Sequence, residues 1–344
     1  MNFAPDPNDA AGDPDQVLEL FLAFWISRSV MAAVELGVFE VVDAERCGEG
    51  LTLGEAQAAL GLRTRPARAL LDTCVAVGLL EKEPDGRYHS SLLGARYLSS
   101  RSVYSLRNYV LDERWCWPAW GRLEEALRAD HQLLPEDEEG YHAFPEDFFL
   151  DFLHGHSRVM GDRLAAAVDL SGARRMMDVG GGSGAVSIAL CKAFPALAAV
   201  VVDQPPVAAR AEHHITEAWL GDRITTWPAN MFEDPLPSDC DVALLANVLH
   251  DFSPERAQEL LGRVHAALPA GGRVVILEIV PDDERRGPPL AVAFAVAMIV
   301  NTAGGDAHTV PQYREWLEGA GFTGVRVTPI AGRMVTTVIE AAKA

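Results

Sequence analysis

The sequence predicts an α/β protein built on a doubly wound, mostly parallel sheet, preceded by a helical module with a winged-helix pattern. Three observations predict it. From Arg174 onward, strand-length apolar runs alternate with helix-length amphipathic runs, the pattern of a parallel sheet covered by crossover helices. One strand–helix junction holds Asp178-Val-Gly-Gly-Gly-Ser-Gly184, and the next apolar run, Ala198-Ala-Val-Val-Val-Asp203, ends on an acid. Ahead of Arg174 the alternation is absent, and the text reads as helices with one short hairpin.

Gln16 to Glu40 reads as one helix, apolar at Leu18, Leu20, Phe21, Phe24, Trp25, Val30, Ala33, Leu36 and Phe39. These residues cover more than one face, as in a central or subunit-interface helix. Leu51–Leu62 and Arg65–Leu80 read as two helices joined by a short turn. Leu80 to Ser90 reads as a hairpin around Pro84-Asp85-Gly86. This order suits either DNA binding or a packing and dimerisation module, and the acidic chain favours the second. From Val110 to Leu170 the text is helical and aromatic, with Trp115, Trp117, Trp120, Phe144, Phe148, Phe149 and Phe152 placed either to wall a small-molecule pocket or to fill a core. The expected strands then run Arg175–Val179, Ala199–Asp203, Arg223–Trp227, Val242–Ala246, Arg273–Ile279, Gly324–Pro329 and Met334–Ala341. The expected helices run Gly184–Phe194, Pro206–Ala218, Pro254–Ala267, Pro289–Asn301 and Val310–Ala320. Residues 1–105, 106–170 and 171–344 thus divide into an N-terminal module, a helical linker contributing to an acceptor pocket, and a ligand-binding α/β domain.

A net charge of -20 argues against nucleic acid as a partner, because phosphates would be repelled. No apolar run is expected to reach the length of a membrane span. The N-terminus, Met1-Asn-Phe-Ala-Pro-Asp-Pro-Asn-Asp9, reads as a disordered acidic tail without a signal sequence. Five scattered cysteines without a C-x-x-C pair fit a reduced cytoplasm.

The glycine run lets the chain turn tightly and lets a ligand approach the backbone. The helix after it presents unpaired N–H groups. Asp203, about 20 residues on, can accept both hydroxyls of a ribose. A P-loop would need Lys-Ser/Thr after the glycines, and Ala185-Val186 stands there. Asp178 ahead of the loop suits a cationic ligand better than a pyrophosphate. S-adenosyl-L-methionine carries a sulfonium and an ammonium group and no phosphate, so it is the expected cofactor.

The chain resembles the class I small-molecule O-methyltransferases of bacteria and plants that carry an N-terminal winged-helix dimerisation domain. The resemblance spans nearly the full length. It rests on the glycine run together with Val202-Asp203-Gln-Pro205, Asn230-Met-Phe232, Asn247-Val-Leu-His250-Asp251, Pro269-Ala-Gly-Gly272, Glu278, Gly304-Gly305 and Gly321-Phe322. It implies a Rossmann-like catalytic domain and a cytoplasmic homodimer acting on a small molecule in secondary metabolism, with antibiotic biosynthesis as a setting. It further implies that Gly180 and Gly182 line the methionine part of the cofactor, that Asp203 grips the ribose, and that Asn230, Met231 and Phe232 border the adenine. Asp178, Gln204 and Asn247 complete the implied cofactor set. Trp115, Met160, Phe294 and Met298 are the implied acceptor pocket.

In the family, the histidine equivalent to His250 is the general base, and an imidazole suits that role near neutral pH. Glu278 matches the first of two acids that flank the base. The second acid normally stands in Gly-Gly-x-Glu-Arg-Thr, but this chain reads Gly304-Gly-Asp-Ala-His308-Thr309. The departure opens a different reading: His250, Asp251 and His308 as two imidazoles and a carboxylate around Fe(II) or Zn(II). A small group of relatives in this family methylates the β-carbon of α-keto acids with such a metal as Lewis acid, and resemblance to that subgroup implies the same here. Metal-assisted C-methylation is therefore the favoured expectation. O-methylation of a phenolic or polyketide acceptor by His250 is the alternative, and cofactor binding without transfer is a third. His213-His214, on a helix, reads as solvated surface.

Overall fold

The computed structural model describes residues 13–43, 50–133, 146–330 and 336–344, and the side chains of 146–153 lie outside it. The chain forms two units, Met1–Trp117 and Pro118–Ala344.

The first unit is helical. Helix α1, Pro14–Glu35, starts on Asp13, whose carboxylate accepts the Asp15 N–H at 3.0 Å. The expected single helix over 16–40 is in fact two. Gly37 at φ +75° ends α1, and α2, Val38–Asp43, turns Val38, Phe39 and Val42 into the core. A capping box between Thr52 and Glu55 opens α3, Leu53–Leu60, and the left-handed Gly61 closes it. Then follow α4 (Thr64–Ala76), the antiparallel hairpin β1 (Leu80–Lys82) and β2 (Tyr88–Ser90), α5 (Leu92–Tyr97) and α6 (Arg107–Trp120), the last reaching across the unit boundary. Val34, Phe39, Leu71 and Tyr88 form the centre of this unit. Contrary to the sequence expectation, α1 is long and apolar enough to cross a membrane by length and composition. It leaves Phe21 70% and Trp25 59% exposed.

The second unit opens with α7 (Leu123–Ala129) and α8 (Glu146–Ala167). The α/β alternation then runs β3 (Arg175–Val179), α9 (Ala185–Ala193), β4 (Ala198–Asp203), α10 (Pro205–Glu217), β5 (Ile224–Pro228), β6 (Val242–Ala246), α11 (Pro254–Ala267), β7 (Arg273–Ile279), α12 (Pro289–Asn301), α13 (Val310–Gly319), β8 (Phe322–Ile330) and β9 (Thr336–Lys343). The described strands of this unit form one sheet in the order β5-β4-β3-β6-β7-β9-β8. All pairs up to β7 are parallel, and β9 pairs antiparallel with both β7 and β8. Strand β8 begins two residues before its expected start, because a bulge at Gly324, φ +68°, keeps the ladder going. Met334, expected in the last strand, lies outside the described residues.

Side-chain alternation along β3 sends Met176 to a core with α8, α9 and α10, and Met177 to a second core with α11 and α13. The sheet is thus covered on both faces. Its chain order reverses between β3 and β6, which places the turns after these strands side by side at the carboxyl edge. The ends of β4 and β7 flank them.

Candidate active site

Four strand ends build the site. After β3, Gly180 and Gly181 both donate to the Val202 carbonyl, at 2.8 and 3.3 Å. Gly180 has φ +71°, and a side chain there would come within 2.9 Å of Val248 and 3.5 Å of the Met231 methyl. Gly182, by contrast, faces open space. Its N–H donates to Asp203 Oδ2 at 2.8 Å, and the Gln204 N–H donates to Oδ1 at 2.8 Å. Asp203, at the end of β4, is held by both oxygens. Burial pushes its carboxyl up to about 6 against the opposing pull of these two N–H groups.

Asp178 is 1% exposed and sits beneath the loop, not in an open cleft. Strand alternation points it at α9, where the Ser187 hydroxyl donates to Oδ2 at 2.6 Å. A side chain at Gly181 would strike this carboxylate at 2.8 Å. Burial pushes Asp178 up to about 7; the Ser187 bond opposes the rise and Asp203 adds to it. Its Oδ1 is buried with no hydrogen-bond partner. A ribose-bearing ligand over this loop fits the fixed Asp203 carboxylate and the open space at Gly182.

Gln204, Pro205, Pro206 and Asn230 line a cleft beside Asp203, so two expected cofactor residues meet there. Asn230 Oδ1 accepts the Phe232 N–H at 3.0 Å, which commits that oxygen to the turn and leaves the amide NH2 for a ligand. Phe232 packs edge-on against Phe252 at 4.9 Å, with the Arg256 guanidinium 3.7 Å over its ring.

After β6 the chain turns sharply at Asn247, φ +56°, a left-handed conformation that asparagine tolerates. The turn aims the Val248 and Leu249 N–H groups at Glu278 Oε1, at 3.1 and 2.9 Å. His250, in a 3-10 turn at Leu249–Asp251, lies with Nδ1 2.5 Å from Glu278 Oε2. Glu278, on β7, is fully buried. With Nδ1 donating to Glu278, Nε2 carries the lone pair whenever the ring is neutral, and Asp251 Oδ1 stands 3.4 Å from it. Burial alone would lower the imidazole, but the charges of Glu278 and Asp251 and the Glu278 hydrogen bond raise it to about 9. The Phe294 ring from α12 meets the imidazole edge to face at 4.9 Å.

The expected metal set is not assembled. His308 is fully buried, edge to face with Trp316 at 4.7 Å and Tyr313 at 5.9 Å. Burial lowers its basicity, against the pull of the Asp306 and Glu278 charges and the Phe252 backbone. Among the described residues no three His, Cys, Asp or Glu side chains are grouped to hold a metal. His308 packs against Tyr313 and Trp316 of α13, and neighbouring Ala307 is also fully buried. The metal-assisted reading therefore loses its third ligand.

Other expectations divide. Met298 is buried near Phe294 on α12, whereas Met160 belongs to the core with Leu164 and Val186. Trp115 lies in the first unit and is 45% exposed. Phe144 and the side chains of Phe148, Phe149 and Phe152 lie outside the described residues. His213 is exposed, but His214 is not solvated: it stacks on His154 at 3.9 Å. Three contributions escaped sequence reasoning: the Val248 and Leu249 N–H groups, the Asp306 N–H on the His250 carbonyl at 3.0 Å, and Arg263 on the Met231 carbonyl at 2.8 Å. Backbone partners leave no side-chain pattern to read.

Two family profiles match the chain: an O-methyltransferase domain over residues 140–323 and an O-methyltransferase dimerisation domain over residues 18–100. The chain is 38% identical over 336 residues to 3-hydroxy-5-methyl-1-naphthoate 3-O-methyltransferase of Streptomyces sahachiroi, covering 96% of each chain. It is 32% identical to the tetracenomycin polyketide synthesis 8-O-methyl transferase of Streptomyces glaucescens, covering 95% of this chain and 96% of that protein. Among solved structures, human N-acetylserotonin methyltransferase in complex with S-adenosylmethionine superposes with a TM-score of 0.88 at 28% identity, covering 97% of this chain and 99% of that one.

Proposed function

The chain belongs to the O-methyltransferase family and is an S-adenosylmethionine-dependent methyltransferase, and on that premise we propose that it methylates a phenolic or enolic oxygen of a small polyketide-type aromatic acceptor in secondary metabolism, with His250 as general base. The buried His250–Glu278 pair carries this reading. Glu278 holds Nδ1 and thereby fixes the neutral tautomer in which Nε2 can take the acceptor's hydroxyl proton. The relatives that act on a hydroxynaphthoate and on a tetracenomycin precursor support the acceptor class.

Asp203 would hold the ribose, the loop at Gly180 and Gly182 the methionine portion, and Gln204, Asn230, Met231, Phe232 and Asn247 the rest. When bound, the cofactor supplies a methyl group made electrophilic by its sulfonium. His250 would receive the acceptor's hydroxyl proton and later release it to water, and the oxygen so freed would take the methyl that the cofactor supplies. An imidazole raised to about 9 lies close to a phenol at about 10, so proton transfer between them is nearly balanced. Phe294 would wall the acceptor against the imidazole.

The proposed assembly is a homodimer. The dimerisation profile and the exposed apolar face of α1 support it. The four described cysteines, free and buried, fit the proposed cytoplasmic setting.

The test is an assay of S-adenosylhomocysteine formation with hydroxynaphthoate-class phenols. His250→Gln should lower kcat about 100- to 10,000-fold while leaving S-adenosylhomocysteine affinity intact. Proton NMR of the product should show a methoxy signal. Wild-type turnover in the variant, or a C-methyl product, would sink the reading.

A further inference from the structure

We propose that Arg263 is a positioning residue for the nucleoside: from α11 it holds the 230–234 loop in the shape that borders the adenine. The proposal rests on the cofactor site described above. The loop is tied at its start, where the Ala229 N–H donates to the Asp203 carbonyl at 2.8 Å. Asn230 then closes it. The Asn230 N–H donates to the Asp234 carboxylate at 2.8 Å, its Oδ1 accepts from Phe232, and its carbonyl accepts the Glu233 and Asp234 N–H groups at 3.1 and 2.9 Å. The carbonyls of Met231 and Asp234 are left out of this internal set. Arg263 takes both, with Nε donating to Met231 at 2.8 Å and Nη2 donating to Asp234.

A guanidinium presents donors in a rigid fork, which suits two carbonyls at a set spacing; an ammonium is a single point. The held residue matters to the cleft. The Met231 methyl lies within 3.5 Å of where a Gly180 side chain would begin, so Met231 is fixed to α11 at its backbone and reaches the glycine loop with its side chain. Arg256, two helical turns earlier on α11, lies over the ring of Phe232 in the same loop. One helix face thus clamps the loop by a backbone fork and a ring contact. Asp203, Phe232 and Gly180 are tied to one another through it.

Calorimetric titration with S-adenosylhomocysteine tests this, with kcat at saturating cofactor and melting temperature measured alongside. Arg263→Met should weaken binding about tenfold, as expected for two lost carbonyl hydrogen bonds. Arg263→Lys should restore part of that loss. The acceptor KM should not move, and kcat should stay within about threefold, since no reacting group is touched. A merely structural role would instead lower melting temperature and kcat together with affinity. Should Arg263→Met not fold, Arg263→Gln carries the same comparison. Tight wild-type binding with affinity unchanged in a folded Arg263 variant overturns the clamp alone. Failure of the wild type to bind S-adenosylhomocysteine overturns the cofactor site, and the clamp with it.

Discussion

The Glu278 carboxylate accepts from the Val248 and Leu249 backbones and from His250, all in a fully buried position. It anchors the turn and at the same time stabilises the charged imidazole. The sign of the resulting pH dependence follows. His250 is raised above its ordinary value, so the imidazolium is favoured up to about 9. The reactive complex holds one proton fewer than imidazolium plus phenol, whichever group has lost it, so kcat/KM should rise with pH towards a limb near 9. Glu278→Gln removes the negative charge, and burial then pulls the imidazole down, so the limb should move to lower pH while its plateau falls. Rate profiles from about pH 6 to about pH 10 check this, and an unmoved limb in the variant would count against the pair. The same group contributes stability that is fully present below the ordinary histidine value and lost as pH rises through about 9. At this scale His250, Glu278 and Asp203 were legible, because each is a chemically apt side chain at a predicted strand end. His308 was misread, because nothing in Gly304-Gly-Asp-Ala-His308 tells an inward ring from an outward one.

The loop between α12 and α13 rests directly on the turn that carries His250. Its Asp306 N–H donates to the His250 carbonyl at 3.0 Å, and the Arg285–Asp306 ion pair holds the loop from outside at 3.0 Å. Gly305 makes the approach possible. A side chain there would collide with the His250 carbonyl oxygen and would stand 2.5 Å from Thr302 Oγ1. Gly305→Ala should therefore displace the base, lowering kcat about 100-fold, with S-adenosylhomocysteine affinity unchanged. Kinetics and calorimetry on the variant check this; wild-type kcat would show that the turn tolerates the shift. The central strands of the second unit were legible because both faces of the sheet are covered there, so β3, β4, β6 and β7 read as short apolar runs. The break between α1 and α2 was not, since apolar spacing continues through Gly37 and only its left-handed φ ends the helix.

At the scale of the molecule, α1 carries a face of Val17, Leu18, Leu20, Phe21, Phe24 and Trp25 that its own unit leaves exposed. Pairing of two chains through this face would remove it from water. Phe21→Asp together with Trp25→Asp should convert a dimer to a monomer in light scattering, and an unchanged mass would place the interface elsewhere. The sequence by itself determined the alternation that makes the sheet, the glycine turn, the acid at the end of β4 and the histidine after β6, because periodicity, turn chemistry and side-chain type are local properties. The tertiary structure alone decided that β6 lies beside β3 and β7 beside β6, which brings His250 onto Glu278, 28 residues away in the chain. It also decided that His308 faces the Tyr313 and Trp316 rings. The physical reason is the same in each case: the partners are set by packing between elements distant in sequence, and burial, which shifts the proton affinities, exists only once the chain has folded.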